Sequence, residues 1–372
     1  MPLVRNRSIV GAQIHCALAH IVDGNWIRRY NPLGVGSAQI LRDAYSPFLP
    51  PLLGETIFRK EDYRTPMLPQ RPLGNTGLTV SLLGYGGAPI GFAAMTPADS
   101  FLPLLRQALD LGINFFDTAP DYRDSEALLG EALQGRREQV VLASKCGREQ
   151  RRTTTGWAAE EDWSETGVRQ MIEGSLRRLR TEYLDLVQLH SPPQWALDDG
   201  AALRGLQRAQ AEGLVRHIGI SADGEVAWRA LELGSFATLQ VSYSILQQEP
   251  GVKLIPAAAA QGMGIIVKQP VANGIADLPA RPSHPDWASK WDIAQRLDWV
   301  RGKAGERRTD LALRWVLTNP LISTAIVGTT DPQHLAANVA LATQPPLDDA
   351  TYQHIEATYY AARWQLNEEG AA

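Results

Sequence analysis

From Ser81 onward the chain alternates short apolar runs with amphipathic stretches, and this alternation constrains the fold more than any other feature. The runs are LLGYGG, INFFD, VVLAS, LDLVQLH, HIGIS, TLQVSYS, GIIVK and STAIVG, each short and apolar enough to be a strand buried on both faces. Between them lie PADSFLPLLRQALDLG, SEALLGEALQG, SETGVRQMIEGSLRRLR, ALRGLQRAQAEG and TDLALRWVLTN, with apolar positions three and four apart. Several open on Ser, Thr or Asp and close near Gly, the signals that start and stop helices. Eight strand-helix units in about 270 residues match a closed (β/α)8 TIM barrel of the α/β class. A doubly wound sheet would use fewer units and place a G-x-G-x-x-G turn after its first strand. LGYGGAPIGF lacks that spacing, and its glycines read as letting a strand end approach a ligand.

The stretch MLPQRPLGNTGLTVSLLGYGG, with GNTG between short extended pieces, predicts an amino-terminal β-hairpin that leads into the first strand and closes the bottom of the barrel. Residues 67–372 are thus expected to form the barrel. Residues 1–66, containing NPLGVGSAQ and SPFLPPLLG without a sustained period, are expected to be a poorly patterned extension, one explanation being an upstream overrun of the true start codon.

Composition excludes several classes. With 44% apolar and 20% charged residues and a formal charge of -4, the 372-residue chain has no basic footprint for nucleic acid. Cys16 and Cys146 lie far apart and outside any C-x-x-C pair, so neither a zinc site nor a disulfide framework is indicated, and a reducing cytoplasm fits. No apolar run approaches the roughly 20 residues of a membrane helix, and the amino terminus lacks signal-peptide order. A cytoplasmic protein acting on a small molecule, without metal, membrane or nucleic acid, is expected, with its oligomeric state open.

In a barrel the site forms at the carboxyl ends of the strands. Asp117 ends INFFD, Tyr122 follows in TAPDYRDS, Lys145 ends VVLASK and His190 ends LDLVQLH. Each alone has a plainer explanation: a backbone cap, a snorkelling lysine, a loop anchor. Together they form a proton-transfer device. A carbonyl accepting hydride develops alkoxide charge and needs a proton donor. A phenol can be that donor: its ordinary pKa of about 10 is too high for ready turnover near neutrality, and a nearby ammonium that stabilises the phenolate is expected to lower it. Lys145 supplies the ammonium, Asp117 keeps it charged and oriented, and His190 hydrogen-bonds the carbonyl oxygen.

From Arg71 almost to its end the chain resembles the aldo-keto reductases. FFDTAPDYRDSEALLGEAL is similar to the family signature around the catalytic Asp and Tyr, here Asp117 and Tyr122; VVLASKCG to the strand carrying the catalytic Lys, here Lys145; LDLVQLHSP to the one carrying the His, here His190. The resemblance implies an NAD(P)H-dependent oxidoreductase that moves hydride between nicotinamide and an aldehyde, ketone or sugar, with Tyr122 as general acid/base. Arg123 and Asp124 depart from the family, which commonly has Gly after the Tyr; the bulkier pair should narrow or charge the mouth.

The resemblance also implies how NADP(H) or NAD(H) is held. Ser221 and Gln240 match the side chains that grip the carboxamide, although Ala222 replaces the usual neighbouring Asn. Lys268 stands where many relatives stack a Tyr on the nicotinamide. Gly328, Thr329 and Thr330 form the phosphate turn before a helix opened by Asp-Pro, a ready anion site. Asn338 matches the residue that contacts adenine. Gly328 and His334 replace a Lys and an Arg common in the family, which leaves NADP against NAD undecided.

Three long stretches, REQRRTTTGWAAEEDW, SPPQWALDDG and ADLPARPSHPDWASKW, are expected as mouth loops, with Trp157, Trp163, Trp195, Trp287 and Trp291 as possible pocket walls. Two other functions remain compatible with the residues: a non-catalytic nicotinamide-binding regulatory module, and a barrel aldolase using Lys145 as a Schiff base.

Overall fold

The computed structural model describes residues 68–93, 101–297, 299 and 307–371; the expected extension and Cys16 lie outside them. Strand β1 (Gln70–Pro72) pairs antiparallel with β2 (Thr79–Ser81) in the predicted hairpin. The eight predicted runs are β3 (Leu83–Gly86), β4 (Phe115–Asp117), β5 (Val141–Cys146), β8 (Leu184–His190), β9 (Val215–Ser221), β10 (Thr238–Ser242), β11 (Gly264–Lys268) and β12 (Thr324–Val327). Each is parallel to its neighbours, and β12 returns to pair with β3, so the sheet closes into a barrel. Helices Leu102–Asp110, Ser125–Ala132, Glu165–Leu179, Ala201–Ala211 and Arg308–Thr318 fall on the five amphipathic stretches. Among the described residues no helix is long and apolar enough to cross a membrane.

The three expected mouth loops carry regular structure: SPPQWALDDG holds the helix Gln194–Asp199, and ADLPARPSHPDWASKW runs into the helix Pro285–Arg296. REQRRTTTGWAAEEDW is not a loop: β6 (Arg148–Thr153) and β7 (Gly156–Glu161) form a second antiparallel hairpin directly after β5. Arg, Glu and Thr dominate it, so no apolar alternation marks it. Cross-strand pairs hold it instead, Arg148 to Glu161 at 3.1 Å and Arg151 to Glu160 at 3.0 Å.

Local signals explain the helix bounds. At Glu165–Leu179, Ser164 Oγ accepts a hydrogen bond from the Gly167 amide at 3.0 Å, an N-cap; Val168, Met171, Ile172 and Leu179 share the buried face. The helix ends at Arg180, whose φ of 53° is left-handed.

The two-residue period of the strands stacks the barrel interior in layers. Leu73 and Val80 of the hairpin plug the bottom and pack with Phe115, Val141, Ala143, Leu186 and Ile266. Each such side chain removed from water contributes about 1.5–3 kcal/mol. Gly74, at φ 53°, lets the hairpin turn press on the start of β11: a Cβ there would stand 2.3 Å from the Gly264 nitrogen. Arg71 donates to the carbonyls of Asn319, Ile322 and Leu317 at 2.7, 2.6 and 3.0 Å, tying the hairpin to the segment before β12. Moving two residues up each strand replaces the apolar layer with a polar one. On β5 the inward series is Val141, Ala143, Lys145; on β8 it is Leu186, Gln188, His190; on β4 it is Phe115, Asp117. The site therefore sits on a rigid hydrophobic floor.

Candidate active site

Asp117 is the centre of the polar layer. Its Oδ1 accepts from Lys145 Nζ at 2.5 Å; its Oδ2 accepts from Gln240 Nε2 at 2.9 Å and from Gln188 Nε2 at 3.2 Å. Lys145 also donates to the Thr118 carbonyl at 3.0 Å. Both charges are removed from water, with side-chain exposures of 0% for Lys145 and 1% for Asp117. An ion pair at that depth depends on hydrogen bonds to both partners, which Gln188, Gln240 and the Thr118 carbonyl supply. Gln188 lies opposite Lys145 in the sheet register, and Gly219 on the next strand makes room for it, a Cβ there falling 3.2 Å from Gln188 Cγ.

Tyr122 reaches this layer from a short 3-10 turn, Pro120–Tyr122, that follows β4. Lys145 Nζ lies 4.9 Å from the centroid of its ring. The His190 ring meets it edge-on, with centroids 5.5 Å apart and planes at 88°, and Phe92 packs on it at 6.0 Å. The four catalytic candidates drawn from separate stretches thus converge at the carboxyl rim.

The electrostatics follow from burial. Burial opposes charge on Lys145, yet Asp117 and Tyr122 together outweigh it and hold the ammonium's pKa above its ordinary value. Burial raises the Tyr122 pKa, and Lys145 offsets this only in part while Asp117 adds to it. The net direction is upward, contrary to a simple expectation from the ammonium alone. The phenol therefore stays protonated at neutral pH, as a proton donor must. His190 is driven well below its ordinary value, first by burial and then by the positive charges of Lys145, Arg148 and Lys268, so it is a neutral imidazole. Its Nδ1 is buried with no hydrogen-bond partner among the described residues, 4.0 Å from Asp121 Oδ2. Asp121 is itself raised, chiefly by burial.

The cofactor candidates lie around the same rim. Gln240 is 1% exposed and spends its Nε2 on Asp117, a bond that sequence matching had not suggested. Ser221 ends β9, where its Oγ accepts from Lys268 Nζ at 3.3 Å. Lys268 Nζ stands 3.0 Å from Asp223 Oδ2, and Asp223 is fixed by the Ser242 amide at 2.7 Å and hydroxyl at 3.0 Å. Gly328 follows β12, and a Cβ on it would stand 2.5 Å from the Gly86 carbonyl oxygen and from Pro89 Cδ. Tyr85 donates to the Thr329 carbonyl at 2.8 Å, anchoring the turn through Thr330. The helix Pro332–Ala342 then begins, capped by Asp331 on the Gln333 amide at 2.7 Å. His334 is 59% exposed, 3.8 Å from the Asp331 carboxylate, and Asn338 is half-buried on the same helix.

The tryptophans divide. Trp163 is buried against Gly147, where a Cβ would lie 2.0 Å from the indole, so it packs β5 against the hairpin. Trp291 donates to the Leu278 carbonyl at 3.2 Å. Trp195 and Trp287 are exposed, and Trp157 stands on the second hairpin beside Arg123. Gln188, Asp121 and Asp223 were not singled out in the sequence. Gln188 and Asp223 carry signals that could have been used, a polar residue inside an apolar strand and a carboxylate just beyond a strand end.

Known proteins resemble this chain in sequence and in fold. The profile described as "Aldo/keto reductase family" matches residues 82–359. The L-galactose dehydrogenase of Arabidopsis thaliana is 32% identical over 304 residues, 77% of this chain and 93% of that protein. The D-threo-aldose 1-dehydrogenase of a Pseudomonas species is 30% identical over 302 residues, 72% of this chain and 90% of that protein. An aldo-keto reductase from Bacillus halodurans, solved in its holo form, superposes with a TM-score of 0.68 at 29% identity, covering 78% of this chain and 96% of its own. Closed barrel, strand-end residues and relatives together assign the chain to the aldo/keto reductase family of oxidoreductases.

Proposed function

We propose that the protein is an NAD(P)H-dependent oxidoreductase that moves hydride between nicotinamide and the carbonyl or alcohol carbon of an aldehyde, ketone or sugar. The observation that carries this reading is the buried Asp117–Lys145 pair held beneath the ring of Tyr122. In reduction the Tyr122 hydroxyl gives its proton to the substrate oxygen, and in oxidation the phenolate takes it back. Lys145 stabilises that phenolate by charge. Asp117, fixed by Gln188 and Gln240, keeps Lys145 protonated and in place. Neutral His190 donates a hydrogen bond to the oxygen on which negative charge develops.

The residues present fit a nicotinamide dinucleotide, which would supply the hydride acceptor or donor. The turn Gly328–Thr330 lacks a side chain where it meets β3 and runs into a helix amino terminus of 11 residues, the backbone geometry that receives phosphate. Gln240 commits its amide nitrogen to Asp117, which leaves its carbonyl oxygen to accept from the carboxamide. Ser221 and Lys268 offer further hydrogen bonds at that rim, and Thr329, Thr330, His334 and Asn338 would border the adenosine half. The relatives' names point to aldoses as the substrate class to try first.

Schiff-base chemistry at Lys145 is disfavoured by its raised pKa, since the amine nucleophile must be unprotonated. A matrix of NADPH, NADP, NADH and NAD against aldehydes, ketones and aldoses, followed by nicotinamide absorbance, tests the proposal. Turnover of at least one pair is expected. Cofactor binding with no turnover across the panel would replace it with the regulatory-module reading.

A further inference from the structure

A neutral imidazole carries its proton on one ring nitrogen only, and which one is set by the hydrogen bond the other makes. His190 is neutral, through burial and the positive charges of Lys145, Arg148 and Lys268. Its Nδ1 is closed off from solvent and has no hydrogen-bond partner among the described residues. A substrate oxygen entering from the mouth can therefore meet Nε2 alone. For His190 to donate to that oxygen the proton must sit on Nε2, which leaves Nδ1 a bare lone pair in the interior. A lone pair buried there calls for a donor.

The group that faces it is Asp121. Its Oδ2 lies 4.0 Å from Nδ1, about 1 Å beyond hydrogen-bond range, and its side chain is 20% exposed, which leaves it room to turn onto the ring. Asp121 is the middle residue of the turn that carries Tyr122, and strand β6 of the second hairpin packs on that turn. Gln150 of β6 approaches the same carboxyl, and the charges around it are Arg148 of β6, Glu161 of β7 and Lys145 of β5. Each cation near the two side chains has a carboxylate of its own: Lys145 has Asp117 at 2.5 Å, Arg148 has Glu161 at 3.1 Å and Lys268 has Asp223 at 3.0 Å. Those partners weaken the pull of the cations on Asp121. Burial acts against charge on the carboxyl and on the imidazole alike, raising the one and lowering the other. A carboxyl kept neutral by its surroundings is a hydrogen-bond donor.

We propose that Asp121 is the positioning residue of His190, donating its carboxyl O–H to Nδ1 so that Nε2–H is aimed at the oxygen of the reacting carbonyl. No covalent bond changes in this arrangement, since the proton stays on Asp121 and only its hydrogen bond orders the ring. The second hairpin thereby reaches the chemistry, because β6 braces the residue that stands behind the imidazole. The proposal rests on the oxidoreductase reading above.

Nitrogen-15 labelling of histidine in the full chain reads the protonated nitrogen directly, and loss of the signal in His190→Gln assigns it. At pH 7 the free protein should show His190 with a proton on Nε2 and none on Nδ1. A proton on Nδ1, the state in which an ionised Asp121 accepts, would overturn the proposal. The kinetic arm compares Asp121→Asn and Asp121→Leu with wild type on DL-glyceraldehyde, with NADPH and with NADH. Asparagine can donate an amide N–H to Nδ1, so that variant should keep the Nε2 proton and lose less than about threefold in kcat. Leucine has no donor, so kcat should fall about 10-fold or more, with KM and nicotinamide affinity within about twofold. Equal losses in the two variants, or wild-type kcat in Asp121→Leu, would overturn the proposal. A wild-type protein that binds nicotinamide yet turns over no carbonyl would overturn the oxidoreductase reading, and the nitrogen spectrum would still decide whether Asp121 donates to His190.

Discussion

Replacing Asp117 by Asn removes one charge from a pair that has no water around it. Lys145 would keep the Thr118 carbonyl at 3.0 Å but lose the carboxylate at 2.5 Å, and its side chain is 0% exposed. Breaking a buried pair by deleting one partner costs about 3–5 kcal/mol. The lysine can escape part of this by shedding its proton. From an unfolded pKa of about 10.4, at 1.36 kcal/mol per unit, deprotonation at pH 7 costs about 4.6 kcal/mol, which caps the penalty. The pH dependence follows from the directions of the shifts. In the wild type the folded pKa of Lys145 is raised, so its stabilising contribution is complete below about pH 10.4 and is lost only above that. In the variant burial depresses the folded pKa, so the folded state binds fewer protons than the unfolded one, and its stability climbs with pH up to about 10.4. At pH 10 the cap falls to about 0.5 kcal/mol. Urea unfolding of both proteins at pH 7, 8.5 and 10 should therefore show a gap of about 3–4.6 kcal/mol that shrinks below about 1 kcal/mol. A gap that is absent at pH 7, or constant across the series, would refute the buried-pair description.

Further outcomes follow from neighbouring contacts. Gly328→Ala places a Cβ 2.5 Å from the Gly86 carbonyl and should weaken nicotinamide binding about tenfold or more by displacing the turn; unchanged affinity in a fluorescence titration would contradict the cradle. Gln188→Leu leaves Asp117 held by Gln240 and Lys145 alone and should lower kcat about tenfold, the worth of one hydrogen bond, with nicotinamide affinity unchanged; wild-type kcat would remove Gln188 from the positioning network. Because His190 lies well below its ordinary pKa, kcat/KM should be level from about pH 6 to 8, and an inflection near pH 6.5 that His190→Gln abolishes would show the imidazole to be titrating there.

The barrel and the four catalytic candidates were legible because both rest on local rules. LDLVQLH and GIIVK coincide with β8 and β11 because runs buried on both faces are predominantly apolar. Period two then places Lys145 and His190 on the inward face at the strand ends. What escaped depends on tertiary contacts or on charge. The hairpin Arg148–Glu161 is held by cross-strand ion pairs, so hydrophobic pattern is silent about it. Gln188 is a lone amide inside a mostly apolar run, and its purpose emerges only when β4, β5 and β10 bring Asp117, Lys145 and Gln240 around it. Gln240 was matched to a cofactor contact, yet half of its amide serves Asp117. The direction of the Tyr122 shift was missed for a similar reason, since the sequence shows the nearby ammonium but not the depth of burial that outweighs it. Arg123 was noticed as a departure, while its left-handed backbone and two flanking rings required coordinates.

The central claim is that the Tyr122 hydroxyl is the proton that makes hydride transfer productive. Single-turnover kinetics of Tyr122→Phe, with nicotinamide affinity measured on the same preparation, address it directly. Removing one oxygen should leave the affinity within about twofold and slow turnover about 100-fold or more. Turnover at the wild-type rate in a variant without that oxygen would mean that the proton comes from elsewhere and that the phenol only packs the mouth.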